Sequence, residues 1–187
     1  MAATLTGVFR SMAYNNAWAN HRLLTACGRL DAGAFNAPRT GFFPSLAATL
    51  NHILVVDWFY VDALEGGWLG LAAFADEQPF DTPAAVHAAQ RLVDDRLIAH
   101  CEALTDRSLD EVVKVNRRER VQTERRDRLL LHLLEHQIHH RGQAHAMLSA
   151  TAVAPPQLDE FFSAAEAPLR APEFAELGWT EEGVWRP

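Results

Sequence analysis

Apolar residues recur at threes and fours through four separate stretches of about twenty residues or more, and this pattern restricts the fold more than any other feature. The first stretch runs from about Leu5 to Cys27, with Val8, Met12, Ala19, Leu23 and Ala26 on one stripe and Gly28 as its stop. A loop from Gly33 to Pro44, rich in Gly, Pro and Asn, leads to Ser45, a suitable N-cap for a second helix from about Leu46 to Glu65 that Gly66-Gly67 ends. Thr82-Pro83 reads as an N-cap with proline at the first helical position, opening a third helix to about Leu104. From about Glu124 to Ala150 the pattern is long and helical, and Pro155-Pro156 ends it. Between the third and fourth helices, Val113 and Val115 alternate with polar residues, so Leu109 to Gln122 holds a short extended excursion.

Four long helices with varied connections predict an all-α, four-helix bundle. The expected organisation is one domain over residues 1–187, with the bundle at about 5–152 and an irregular C-terminal arm at about 153–187. The arm carries Pro168, Pro172 and Pro187 with Trp179 and Trp185, and one short helix is expected around Leu158 to Ala165. A chain of 187 residues, 49% of them hydrophobic, is long enough to fill such a core. Trp18, Trp58, Phe59 and Tyr60 are expected in that core, some of them lining a pocket.

Charge narrows the function. The balance of 17 Lys+Arg against 24 Asp+Glu leaves a net charge of -7, which argues against nucleic acid bound on a broad basic face. Seven basic residues fall between Lys114 and Arg128, but Glu111, Glu119, Glu124 and Asp127 are interspersed, so a solvated, salt-bridged surface is expected. Cys27 and Cys101 are the only cysteines, as suits a reducing cytoplasm and no disulfide scaffold. No apolar run reaches the roughly 18 residues of a membrane span, and no secretory signal pattern opens the chain.

Histidine is the unusual entry in the composition. Of nine, five lie between His132 and His145. On a helix at about 100° per residue, with His132 at the origin, His136 lies near about 40° and His140 near about 80°, where the polar stripe enters the apolar arc. They form an i, i+4 pair able to converge on one metal ion. His132 and His139 point further towards solvent, and His145 lies off the site. His21, His87 and His100 read as helix-surface or boundary residues. A zincin helix would place glutamate directly after the first ligand, but Gln137 stands there and cannot take a proton at neutral pH. A di-iron bundle would need Glu-x-x-His, and Glu135 is followed three residues on by Ile138.

A pair needs at least a third ligand. His52 projects from an apolar face of the second helix, among Thr49, Val55, Val56, Phe59 and Ala63. An imidazole there requires either a hydrogen-bond partner, such as a carbonyl or Tyr60, or a metal. Asp57, about 140° round that helix, is a poor co-ligand but can accept an N–H from another side chain.

The string His136-Gln-Ile-His-His-Arg-Gly-Gln143 resembles the fourth-helix signature of the DinB-like (damage-inducible) family of metal-binding four-helix bundles. Leu50-Asn-His-Ile53 with Asp57-Trp58, Tyr14-Asn-x-x-Ala-Trp-Ala-Asn20 and Pro155-Pro156-Gln-Leu-Asp159 are similar to its other motifs, so the likeness spans about Met12 to Asp159. The resemblance implies a three-histidine site mapping onto His52, His136 and His140. It also implies a divalent metal such as zinc or nickel, a homodimer, and activities of the thiol S-transferase, mycothiol-dependent isomerase or hydrolase type. No DNA-polymerase motif accompanies it.

The functional expectation is a cytoplasmic, metal-dependent S-transferase or hydrolase acting on a small molecule, with an open coordination position taken by water or by a low-molecular-weight thiol. Arg141 and Gln143 are candidates to orient substrate, against the plainer readings of a solvated arginine and a helix-packing glutamine. The alternative is a non-catalytic metal-binding or stress-response module whose metal ties the second helix to the fourth.

Overall fold

The computed structural model describes residues 4–185; residues 1–3, and Pro187 of the expected arm, lie outside the described residues. Four long helices form, each started by a local signal in the sequence. Helix α1 (Leu5–Cys27) begins where Thr4 Oγ1 accepts the Gly7 N–H at 3.0 Å, and it ends with the Gly28 N–H on the Leu24 carbonyl. A single turn, α2 (Ala32–Asn36), is capped by Asp31. Ser45 Oγ caps α3 (Leu46–Leu64), and after it Gly66 takes a φ of 85°, a left-handed turn open to glycine at little cost. A 3₁₀ segment, Gly70–Phe74, leads on to α4 (Pro83–Glu102), with Thr82 as cap and Pro83 in the first turn. The short α5 (Asp106–Leu109) follows.

The expected extended excursion is one half of an antiparallel hairpin, β1 (Val112–Asn116) against β2 (Val121–Arg125), with Val113 opposite Glu124. Only the first strand has an apolar alternation, with Val113 and Val115 buried, so β2 gave no comparable signal. The pairing also corrects the start of the fourth long helix. Glu124 and Arg125 are held in the ladder, and α6 (Arg126–Leu148) begins after them. The architecture remains an all-α bundle of α1, α3, α4 and α6 with a small two-stranded sheet packed on α3. Trp18, Phe59 and Tyr60 are buried, and Trp58 is half-buried.

The C-terminal arm differs more from its expectation. No helix forms over residues 158–163; α7 (Ala167–Leu177) comes later and α8 (Glu181–Trp185) follows. Proline read as a breaker misplaced this helix. Pro168 lies in its first turn, where the missing N–H costs nothing, and Pro172 is carried inside it. Burial of Arg170 and Phe174 supplies the compensation, and Gly178, at φ 75°, closes the end with the Trp179 N–H on the Phe174 carbonyl. The basic stretch is the salt-bridged surface expected: Arg126 pairs with Glu111, Arg128 with Glu124, and Arg125 with Asp110 and Asp127. Among the described residues no helix is long and apolar enough to cross a membrane.

Candidate metal centre

Helix α3 carries His52 and α6 carries His136 and His140 one turn apart, and these two helices lie side by side. One ligating nitrogen from each imidazole falls within 4.8 Å of the others, and the group contains no carboxylate. His52 Nε2 and His136 Nε2 face each other at 3.0 Å. The ring centroid of His140 lies 4.7 Å from that of His52 and 4.4 Å from that of His136. His140 is buried while the other two are half-buried, so the cluster sits at the edge of the core.

Electrostatics keep these rings neutral. Burial first, and then the neighbouring His140, pulls His52 down to about 4. Burial and the adjoining histidines pull His136 down to about 3. Burial also lowers His140, although its bond to Gln143 opposes the shift. Neutral imidazoles offer lone pairs, which is the form a metal requires. Gln143 settles which nitrogen of His140 is available. Its Oε1 accepts the His140 Nδ1–H at 2.9 Å, leaving Nε2 as the lone-pair atom, and its own Nε2–H donates to His139 at 3.0 Å. The donor set and this fixed tautomer both fit a divalent cation.

The other sequence candidates fall elsewhere. Arg141, expected either to orient substrate or to be solvated, is not solvated: it is 5% exposed and donates to Asn16 Oδ1 at 2.7 Å and Asn20 Oδ1 at 2.9 Å on α1. The cause is rotational, since one residue past His140 turns the side chain about 100° round α6, towards the bundle interior. Gln137, which stands where a zincin would have its base, is fully buried, with Nε2 against Asp57 Oδ2. Asp57 is thus an acceptor for amides, from Gln90 as well at 2.7 Å, and not a ligand. His132 and His139 are exposed. His145 has a structural task, bonding the Pro156 carbonyl at 2.8 Å. His21 and His87 pair at 3.1 Å, and His21 reaches Glu176 of α7 at 3.0 Å.

Two features went unread in the sequence. Phe43 lies against the cluster, its ring 4.3 Å from His52 and 5.5 Å from His140. The available signal was a Phe-Phe pair, Phe42-Phe43, in an otherwise turn-forming loop just ahead of the helix that bears His52. The second feature is a buried polar layer in the bundle. Asn16 and Asn20, Gln90 and Asp94, and Gln137 and Arg141 are i, i+4 pairs on three different helices, and α3 adds Asp57. Polar pairs four residues apart on otherwise apolar faces were its signature.

A helical bundle whose second and fourth long helices bring three imidazoles together is compatible with metal binding at that cluster. The chain belongs to the DinB family, whose model matches residues 1–173. A crystal structure of a DinB-like protein from Bacillus cereus ATCC 10987 at 2.01 Å resolution is similar in fold, with a TM-score of 0.61 at 15% identity, covering 77% of this chain and 91% of that one. No curated protein matches the sequence.

Proposed function

We propose that this protein binds a divalent metal through His52, His136 and His140 and uses it as an enzyme of the thiol S-transferase or hydrolase type. The observation that carries the reading is the convergence of three neutral imidazoles, without a carboxylate, at the half-exposed edge of the core. A divalent ion held by three such ligands supplies Lewis acidity at a remaining position to a water or a low-molecular-weight thiol. The chain's own contribution is to hold the ligands. Gln143 orients His140, and the packed seam of α3 against α6 fixes the distance of His52 from the other two. The partial exposure of His52 and His136 favours a site that reaches a small molecule over a closed, purely structural one. Zinc or nickel as the metal, a homodimer and a cytoplasmic location complete the reading. The net charge of -7 supports a small molecule over nucleic acid as substrate.

Metal analysis of protein purified without a histidine tag tests this directly. Wild type and His145→Ala should carry close to one equivalent of metal after dialysis against zinc, and His136→Ala should carry none. Equal metal in all three would reject the assignment. Thiol-transfer and ester-hydrolysis assays on the loaded wild type then separate a catalytic centre from a non-catalytic module.

A further inference from the structure

Phe42 is the most exposed large apolar side chain among the described residues, 78% accessible, and it stands beside the three histidines. Its ring meets Phe43 edge-on at 4.9 Å and lies 6.4 Å from His140. Phe43 in turn is tilted only 35° from the plane of His52. The rings thus form a wall that starts at two of the imidazoles and runs outward into solvent.

The loop that bears them is held in place. The Arg39 N–H bonds the Pro44 carbonyl at 2.7 Å, closing the segment, and the Arg39 guanidinium bonds the Ala34 carbonyl at 2.7 Å. Gly41 packs so closely on Met147 of α6 that a side chain there would need Met147 to move. Met147 also receives the Thr49 hydroxyl from α3, which ties the loop floor to both histidine-bearing helices. Folding gains nothing from leaving Phe42 in water, yet the loop that carries it is tied down, and an apolar surface beside a few convergent polar groups is the make-up of a small-molecule site.

We propose that Phe42 and Phe43 are the apolar subsite of this centre and select a small anionic ligand that carries a flat, ring-sized apolar group. The inference rests on the metal reading above and names the ligand class. The anionic requirement comes from the donor set: three neutral imidazoles leave the charge of a divalent ion uncompensated, so a negatively charged donor atom is favoured there. The apolar requirement comes from the wall. Aromatic faces and edges offer stacking surface and no hydrogen-bond partner, at a ring's width from His140.

Two hydroxamates that share a donor group and differ only in methyl against phenyl make the test. Zinc loading is measured first, and the binding of acetohydroxamate and benzohydroxamate to the loaded protein is then followed by calorimetry. Wild type should prefer benzohydroxamate by about tenfold, the gain expected for one well-stacked ring. Phe42→Ala changes an exposed residue and should keep its fold and its zinc. It should narrow the preference to within about twofold, chiefly by weakening benzohydroxamate, and Phe43→Ala should narrow it at least as far. A wild type that binds zinc and shows no preference, or a Phe42→Ala variant that keeps the full preference, overturns the subsite alone. Failure of the wild type to bind zinc overturns the metal reading and this inference with it.

Discussion

Asp57 and Asp94 are two buried carboxyl groups served by one buried cation, Arg141. Asp94 accepts from Asn16, Asn20 and Gln90, and burial still pushes it up to about 7. Burial, then the charge of Asp94, pushes Asp57 up to about 8. The better-served Asp94 is the natural anion of the pair, with Asp57 keeping a proton at neutral pH, so that the layer is electrically neutral with Arg141 charged. Burial pulls Arg141 down to about 10, which still leaves it a cation. The buried atoms Asp57 Oδ1 and Gln137 Oε1 lack hydrogen-bond partners, so a proton on Asp57 lowers the cost of leaving that oxygen unpaired. In the unfolded chain this proton leaves near the ordinary value of 3.8, so the folded form binds it more tightly. Stability from this group is therefore full below 3.8 and falls as pH rises from there towards about 8. Asp57→Asn, which mimics the protonated acid, should flatten the decline in denaturant-unfolding stability between pH 5 and pH 8, and an unchanged slope would contradict the assignment. Arg141→Met strands the anion and should cost about 3 kcal/mol in the same measurement.

At the scale of the element, α3 and α6 matter most, and they arise differently. Helix α3 was readable from both ends because Ser45 and Gly66 do in three dimensions what their chemistry suggests locally. Ser45→Ala removes the acceptor for the Ala48 N–H and should cost about 1 kcal/mol by thermal unfolding. A cost near zero would show that packing alone sets the start of α3. Helix α6 has no side-chain cap at all. Its start is set by the hairpin, whose partner strand holds Glu124 and Arg125 extended, a long-range pairing that helical periodicity cannot report. Periodicity did report which face of α6 bears His136 and His140, since that depends only on spacing. It placed Arg141 less well, because the polar partners that bury it belong to α1.

Over the whole molecule, two arginines of α1 clasp the C-terminal arm, Arg10 through the Gly183 and Val184 carbonyls at 2.6 and 2.7 Å and Arg22 further along, while Arg170 ties the arm to itself. Arg22 of α1 stacks on Trp18 and bonds Glu160, Glu173 and the carbonyls of Gln157 and Leu169. Arg170 of α7 is 1% exposed; it binds the Glu181 carboxylate at 2.8 and 2.9 Å and the carbonyls of Glu160 and Ser163, with its guanidinium facing Phe161, Phe174 and Trp185. Arg170→Ala removes this packing and leaves two carbonyls without a donor. The expected loss is about 2 kcal/mol, accompanied by a change in the fluorescence of Trp179 and Trp185 as the arm loosens. Unaltered fluorescence and stability would mean that the arm keeps its course without Arg170, through its apolar contacts and the α1 arginines.

The sequence by itself determined the four long helices, the caps at Ser45 and Thr82 and the identity of the three clustered histidines. Those depend on residue spacing within one element and on chemistry within one turn, which the chain states locally. The tertiary structure alone decided the hairpin, the course of the arm through Pro172, the inward turn of Arg141, the gathering of the buried polar layer and the aromatic wall beside the histidines. Each of these depends on which side chains from distant segments are buried together, and burial is a property of the packed molecule that no single stretch of sequence carries.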